Sequence, residues 1–68
     1  MLELRDRLLQ TATDKGIRIE AYPIRFSKAF LAESSFGYCI ALDPFQIRSA
    51  AEEVYLLAHE LGHYFTDS

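Results

Sequence analysis

The sequence lacks the features that would cross-link a small chain or place it in a membrane. It contains a single cysteine, Cys39, so no internal disulfide can form. No stretch approaches the roughly 18 consecutive apolar residues of a membrane span. The N-terminal segment MLELRDRLLQ mixes acids and bases among its leucines instead of forming a signal-peptide core. We therefore expect a cytoplasmic protein with no membrane partner.

Basic charge is also scarce. The sequence contains seven Lys and Arg and ten Asp and Glu, which gives a net charge of -3. It has no cluster of basic residues that would bind a nucleic-acid backbone. The sequence therefore argues against direct binding of DNA or RNA. Half of the 68 residues are hydrophobic, as in a globular domain. A domain this small buries only about 60% of its unfolded surface, so a metal, a partner or a further part of the domain is expected to add stability.

Apolar spacing in the first half of the chain predicts a helix followed by a strand. Between Leu2 and Thr13 apolar side chains recur at helical intervals, and Gly16 follows as a natural stop. In IRIEAY apolar and polar residues alternate, which is typical of a half-buried strand, and Pro23 should end that strand or mark it as an edge. Residues 24–35 fit either a second strand or a loop rich in small residues.

The segment FGYCIALDP predicts a central strand. Its residues are nearly all apolar on both faces, which favours a strand covered on both sides. Cys39 lies in this run, where a small buried hydrophobe is favoured over a reactive thiol. Asp43 and Pro44 then turn the chain.

The last helix is predicted from a capping signal and an apolar stripe. Ser49 and Glu52 form the S-x-x-E pattern of a capping box, so the helix should begin near Ser49. At about 100° per residue, one stripe should pack against the sheet; it contains Val54, Leu57, Ala58, Leu61 and Phe65. Together the elements predict an α+β fold with an N-terminal helix, a small, mostly antiparallel sheet of two to three strands and a C-terminal helix, in a single domain over residues 1–68.

The motif HELGH lies on this last helix, from His59 to His63. Residues four apart on a helix differ by only about 40° in direction and about 6 Å in height, so two imidazoles can reach one tetrahedral ion. Glu60 points about 100° away from His59, where its carboxylate can reach a water held on that ion. Zinc lowers the pKa of such a water to about 7, and the glutamate can then accept its proton during attack on a carbonyl. The spacing therefore predicts a Zn²⁺ site that hydrolyses peptide bonds.

Simpler interpretations of the same residues remain open. His59 and His63 could be two incidental surface histidines, and Glu60 alone could be a solvated surface acid. Tyr55 and Tyr64 carry hydroxyls that could steady a developing oxyanion, but tyrosines on a helix are more often packing residues.

The sequence contains no clear third ligand for the predicted zinc ion. A catalytic zinc takes three protein ligands and a water, and the histidine pair supplies two. Asp67 lies about 12 Å along the helix from His59, so it could join the site only through a bent C-terminus. The segment HYFTDS contains no glycine or proline to stop the helix. We therefore expect the 68 residues to be the N-terminal half of a larger catalytic domain.

The order of elements and the motif together resemble the N-terminal part of the ImmA/IrrE family of metallo-endopeptidases. The residues that carry the resemblance are GIRIEAYPI, FGYCIALDP and AAEEVYLLAHELGHYF. It implies a partial zincin-like domain in which His59 and His63 bind zinc and Glu60 is the base. It also implies a third, usually acidic ligand from a later helix, and a protein substrate such as a helix-turn-helix repressor. Nothing in this sequence matches the third ligand.

Two functions are therefore compatible with the sequence. The first is a zinc-dependent metallo-endopeptidase, or its N-terminal part, that cleaves a cytoplasmic regulatory protein. The second is a non-catalytic interaction module whose last helix docks another chain, including a copy of itself. Apolar residues occur on both sides of that helix, and the sheet can cover only one of them.

Overall fold

Two helices pack on one face of a three-stranded sheet. The computed structural model describes residues 3–67. In chain order the elements are α1 (Leu4–Asp14), β1 (Arg18–Ala21), β2 (Ala29–Ser34), β3 (Gly37–Leu42) and α2 (Ala50–Asp67). The α+β prediction is confirmed. Of the ambiguous residues 24–35, the first five lie in a loop and most of the others form β2.

Gly16 ends α1 as the sequence predicts. Its φ of +74° lies in the left-handed region, which glycine adopts without steric cost. This turn lets the Ile17 N–H donate to the carbonyl of Ala12 at 2.8 Å and the Gly16 N–H donate to that of Thr13 at 3.0 Å. The last carbonyls of the helix are thereby satisfied, and the chain is aimed into β1.

The strand order is β1-β3-β2, so β3 is central and β1 is an edge, as expected. β2 and β3 form an antiparallel hairpin in which Leu31 pairs with Ile40. β1 pairs with β3 in parallel, with Ile19 opposite Ile40. The sheet is therefore mixed rather than mostly antiparallel. The reason is topological: after β1 the chain crosses to the far edge, and the short β2–β3 turn brings it back to the centre in the direction of β1.

The core lies between the helices and the inner face of the sheet. Ile40 of the central strand and Leu57 of α2 are both fully buried. They belong to one cluster with Ala12, Ile17, Ala29, Leu42 and Leu61. The apolar stripe predicted for α2 is only partly right, because Ala58 is exposed and Phe65 is 51% exposed. Leu56 and Tyr64 pack on the cluster instead, so the helix is rotated from the orientation that hydrophobicity alone suggests.

A buried carboxylate organises the connection between β3 and α2. Asp43 is 2% exposed. Its Oδ2 accepts hydrogen bonds from the Arg25 N–H at 3.1 Å and the Gln46 side-chain amide at 2.8 Å. Its Oδ1 accepts the Phe45 N–H at 2.9 Å. The Gln46 amide, followed by these backbone donors, holds the pKa of Asp43 below its ordinary value despite the opposing effect of burial.

The Asp43→Asn variant should lose stability and much of its acid sensitivity. Because the folded-state pKa of Asp43 is lowered, its contribution is complete above its unfolded pKa of about 4 and disappears as the pH falls through the lower folded value. Asparagine removes the charge and places an NH₂ group where an acceptor stood. We expect urea titrations at neutral pH to show a lower midpoint for the variant than for the unaltered protein. The difference between the two midpoints should become smaller in acid. Asp6→Asn, at an exposed position, is the control. A difference in midpoint between Asp43→Asn and the unaltered protein that becomes larger in acid would contradict the role of Asp43.

Leu57 should be one of the most sensitive core positions. Truncation of a fully buried leucine to alanine removes apolar contacts and leaves a cavity, which costs about 2 to 5 kcal/mol. We expect Leu57→Ala to reduce the free energy of unfolding in urea by this amount. Leu4→Ala is the matched control, because Leu4 is a helical leucine that is 57% exposed. Equal effects of the two substitutions would show that α2 does not pack as described.

Candidate metal centre

The start of α2 is held by the predicted capping box. The Glu52 N–H donates to Ser49 Oγ at 3.1 Å. The Glu52 carboxylate reaches back to accept the N–H of Arg48 at 2.8 Å, one residue earlier than the cap itself. It also accepts from the Lys28 ammonium at 2.5 Å. Lys28 and then the Arg48 N–H lower the pKa of Glu52. The helix is thus tied to the residue that precedes β2.

The other flank of α2 faces α1. Arg5 Nε donates to Glu53 Oε1 at 2.6 Å near the beginning of both helices. Near their ends, the Lys15 ammonium lies 5.8 Å from the centre of the Phe65 ring. The two helices therefore run side by side in the same direction, and α1 covers one flank while β2 lies toward the other.

The histidine pair lies on the β2 flank. His59 follows Glu52 by seven residues, which is two helical turns to within about 20°, and His63 follows one turn later. Both histidines are exposed. This position leaves the imidazoles open to solvent beside the β2 edge of the sheet, with the helix backbone as a rigid support.

The two imidazoles converge. His59 Nε2 and His63 Nε2 are 3.1 Å apart, and which of them donates depends on the tautomer. The ring centres are 4.6 Å apart and the rings are nearly perpendicular, at 89°. Two nitrogens about 2.0 to 2.1 Å from a tetrahedral zinc lie about 3.3 Å from each other. The observed separation fits a shared ion with a small adjustment of the side chains.

Two tyrosines near the pair have different surroundings. The Tyr55 ring stacks on that of His59, with centres 6.0 Å apart and planes inclined by 20°. Tyr55 is nevertheless 66% exposed. Tyr64 packs edge-on against Tyr38 of β3, at 4.9 Å between ring centres. Tyr64 is therefore a packing residue, as expected, and Tyr55 restricts the orientation of a candidate ligand.

Glu60 lies at the border between the core and the solvent. It is only 7% exposed, between the buried Leu57 and Leu61. Within residues 3–67, no hydrogen bond or ion pair involves the Glu60 carboxylate. In the same residues, every side-chain oxygen that is fully buried has a hydrogen-bond partner, so the Glu60 oxygens cannot be fully buried. The stem of Glu60 is thus buried while its oxygens still meet solvent. A solvated surface acid, the simpler interpretation, does not describe this environment.

No third ligand adjoins the pair in the part of the chain that the structure describes. Among residues 3–67, no group of three or more His, Cys, Asp or Glu side chains is arranged to hold a metal. α2 stays helical through Asp67, so the bend that would carry Asp67 toward His59 is absent. The Asp67 side chain itself lies outside the described residues. The residues present fit two of the ligands of a zinc ion.

Cys39 lies away from this centre. Its neighbour Ile40 points into the core, so alternation along β3 directs Cys39 to the opposite face of the sheet. There its Sγ donates to the Glu20 carboxylate at 3.1 Å. Burial, and then the Glu20 carboxylate, raise the pKa of the Cys39 thiol. Cys39 is only partly buried, so it is not the buried hydrophobe that the sequence predicts. Its raised pKa reduces the thiolate fraction, in agreement with the expectation of an unreactive cysteine.

Comparisons with known proteins neither support nor oppose the family resemblance. No family model, curated protein or solved structure matches this chain. In residues 3–67, no helix is both long and apolar enough to cross a bilayer. The candidate site is therefore defined by the geometry of α2 and its neighbours.

Zinc affinity should depend on both histidines. Removal of either imidazole leaves one protein nitrogen, so His59→Ala and His63→Ala should each weaken zinc binding by more than the roughly 10- to 100-fold that changes outside the ligand shell cause. Isothermal titration with zinc chloride measures this effect, and circular dichroism checks that α2 is retained. Gln10→Ala, an exposed substitution on α1, should bind like the unaltered protein. Unchanged affinity in either histidine variant would contradict a shared ion.

Proposed function

We propose that this protein is a zinc-dependent metallo-endopeptidase, or the N-terminal part of one, that hydrolyses peptide bonds in a cytoplasmic regulatory protein such as a repressor. The observation that carries the proposal is the 3.1 Å separation of His59 Nε2 and His63 Nε2, with Glu60 on the same helix. The resemblance to ImmA/IrrE peptidases supports the choice of a regulatory protein as substrate.

Each residue of the motif has a separate task. The two imidazoles hold zinc, which when bound polarises a carbonyl and lowers the pKa of water to about 7. Glu60 accepts the proton of the attacking water at its carboxylate and delivers it to the leaving amine. Its environment suits this role, because the buried stem fixes the carboxylate while its oxygens keep access to solvent.

The neighbouring sheet edge supports a peptide as substrate. In the described chain, β2 pairs only with β3, so its other edge keeps unpaired N–H and C=O groups. An extended peptide can add to such an edge as a further strand. Since the histidine pair lies on the flank of α2 toward β2, a peptide held there would pass close to the metal.

Catalysis requires one more ligand than the described residues supply. We propose that it is an acidic side chain from outside residues 3–67, as the family resemblance implies. A second candidate function, a non-catalytic interaction module, is favoured by the exposure of two aromatic side chains of α2, Tyr55 at 66% and Phe65 at 51%.

The Glu60→Gln variant should separate metal binding from hydrolysis. Glutamine has the same shape but cannot accept the proton, and loss of a general base typically costs 10²- to 10⁴-fold in rate. We expect zinc affinity within a few-fold of the unaltered protein. When the third ligand is present, we also expect loss of cleavage of a fluorescence-quenched peptide library in the presence of zinc chloride. Glu3→Gln, at an exposed position before α1, is the control. Equal cleavage by the Glu60→Gln variant and by the protein with Glu60 would contradict the proposed base.

A further inference from the structure

The loops at one end of the sheet expose three aromatic rings. The parallel strands β1 and β3 both finish at this end, and the loop of residues 22–28 leads from it into β2. Tyr22 is 61% exposed, Phe26 is 83% exposed and Phe45 is 84% exposed. Single apolar residues scattered over a surface are normal, whereas a group of them at one place marks a site of contact with a partner.

Hydrogen bonds hold these loops in one arrangement. The Gln46 side-chain amide donates to the Ser27 carbonyl at 2.9 Å. The Asp43 N–H donates to the Lys28 carbonyl at 2.8 Å. Arg25 has a φ of +73°, a left-handed conformation that residues other than glycine seldom adopt, and its N–H donates to the buried Asp43 carboxylate. The surface is therefore organised before any partner binds, which reduces the entropic cost of binding.

The same end of the sheet is basic, although the protein carries a net charge of -3. Residues 21–32 contain two basic side chains and no acid. Asp43, the acid of the neighbouring turn, is buried and hydrogen-bonded. Lys28 is paired with Glu52. The exposed Arg25 guanidinium, in contrast, has no hydrogen bond or ion pair in the described part of the chain. A carboxylate of a partner would therefore meet an unpaired guanidinium here.

A hollow between the two loops adds a shape to this charge. It is lined by Pro23, Arg25, Asp43, Phe45 and Gln46, and its volume is about 460 Å³. This volume lies within the range of about 300 to 1,000 Å³ that is typical of ligand clefts. Pro23 and Phe45 supply the apolar part of the lining. A concave site of this kind receives a protruding side chain, whereas a flat bilayer surface cannot enter it.

We propose that this end of the sheet binds an acidic peptide segment of a partner protein, with an aromatic side chain of the segment in the hollow and a carboxylate on Arg25. The exposed rings of Tyr22 and Phe26 extend the apolar contact beyond the hollow. Since the remainder of the protein is acidic, an acidic partner is oriented toward this end. The binding uses no residue of the HELGH motif, so it needs no zinc and stands independently of the proposed hydrolysis.

Fluorescence anisotropy of a labelled synthetic peptide tests the proposal. The probe is a short peptide of alternating glutamate and phenylalanine. We expect it to bind the zinc-free protein, and to bind less tightly as salt is raised because the contact with Arg25 is screened. Peptides with serine in place of phenylalanine, or lysine in place of glutamate, should bind at least about 10-fold more weakly. Equal binding of all three peptides, or binding of none, would overturn the proposal.

Substitutions at exposed positions locate the bound peptide. Phe45→Ser removes an apolar wall of the hollow but keeps the N–H that Asp43 accepts. Arg25→Asn removes the guanidinium, and asparagine tolerates the left-handed backbone. Each substitution should weaken binding by about 10-fold or more without a change in circular dichroism. Phe36→Ser is the matched control, because Phe36 is 86% exposed in the turn between β2 and β3, at the other end of the sheet. Equal effects of Phe45→Ser and Phe36→Ser would overturn the assignment of this surface.

A lipid surface is the other kind of partner that exposed aromatic and basic groups contact. Co-sedimentation with vesicles of phosphatidylcholine and phosphatidylserine distinguishes it from a peptide. The proposal predicts that the protein stays in the supernatant at physiological salt. Binding to the vesicles without binding to the peptide would overturn it.

Discussion

The packing of Leu57 and Leu61 against the central strand sets the rotation of α2, and every feature of the candidate metal centre depends on that rotation. With these two side chains held in the core beside Ile40, positions 59 and 63 must face outward. Glu60 must lie between the core and the solvent for the same reason. A rigid helix does not allow the three residues of the motif to adjust separately. The geometry of the pair is thus a consequence of core packing.

Local contacts at and just before the start of α2 reinforce this placement. The cap at Ser49 and the ion pair between Lys28 and Glu52 fix where α2 begins relative to β2. Such surface pairs contribute modestly to stability, but they restrict sliding of the helix along the sheet. Asp43 anchors the turn before α2 by accepting hydrogen bonds from two backbone N–H groups, those of Arg25 and Phe45, and from the side-chain amide of Gln46. The longer helix, α2, is therefore attached to β3 through a short connection whose polar groups are hydrogen-bonded.

Features that depend on neighbours in sequence were predictable. The stop of α1 at Gly16, the cap at Ser49 and the spacing of the histidines are all encoded within a few residues. The central position of β3 followed from its apolar character on both faces. The parallel pairing of β1 with β3 and the loop over residues 22–28 were not predictable in the same way, because they depend on which strand fills the space beside β3 after the hairpin has formed.

The environment of Glu60 was likewise predictable only in part from the sequence. Its distance from the histidines along the chain predicted a carboxylate near the metal, but not one whose stem is buried at 7% exposure. Hydrophobicity placed Ala58 and Phe65 against the sheet. The structure instead buries the aliphatic stem of Glu60, packs the partly buried Tyr64 on the core and leaves Ala58 exposed. A pattern based on residue type treats glutamate as polar throughout, although its methylene groups can pack like those of an apolar residue. The tertiary fit of α2 decided which side chains were covered.

The most direct test of the central claim is to follow the ring nitrogens of both histidines by NMR while zinc is added. If His59 and His63 share one ion through Nε2, both Nε2 resonances should shift together and along the same titration curve, and the zinc-bound form should carry its ring protons on Nδ1. A shift confined to one ring, or coordination through Nδ1 in either of them, would contradict the account.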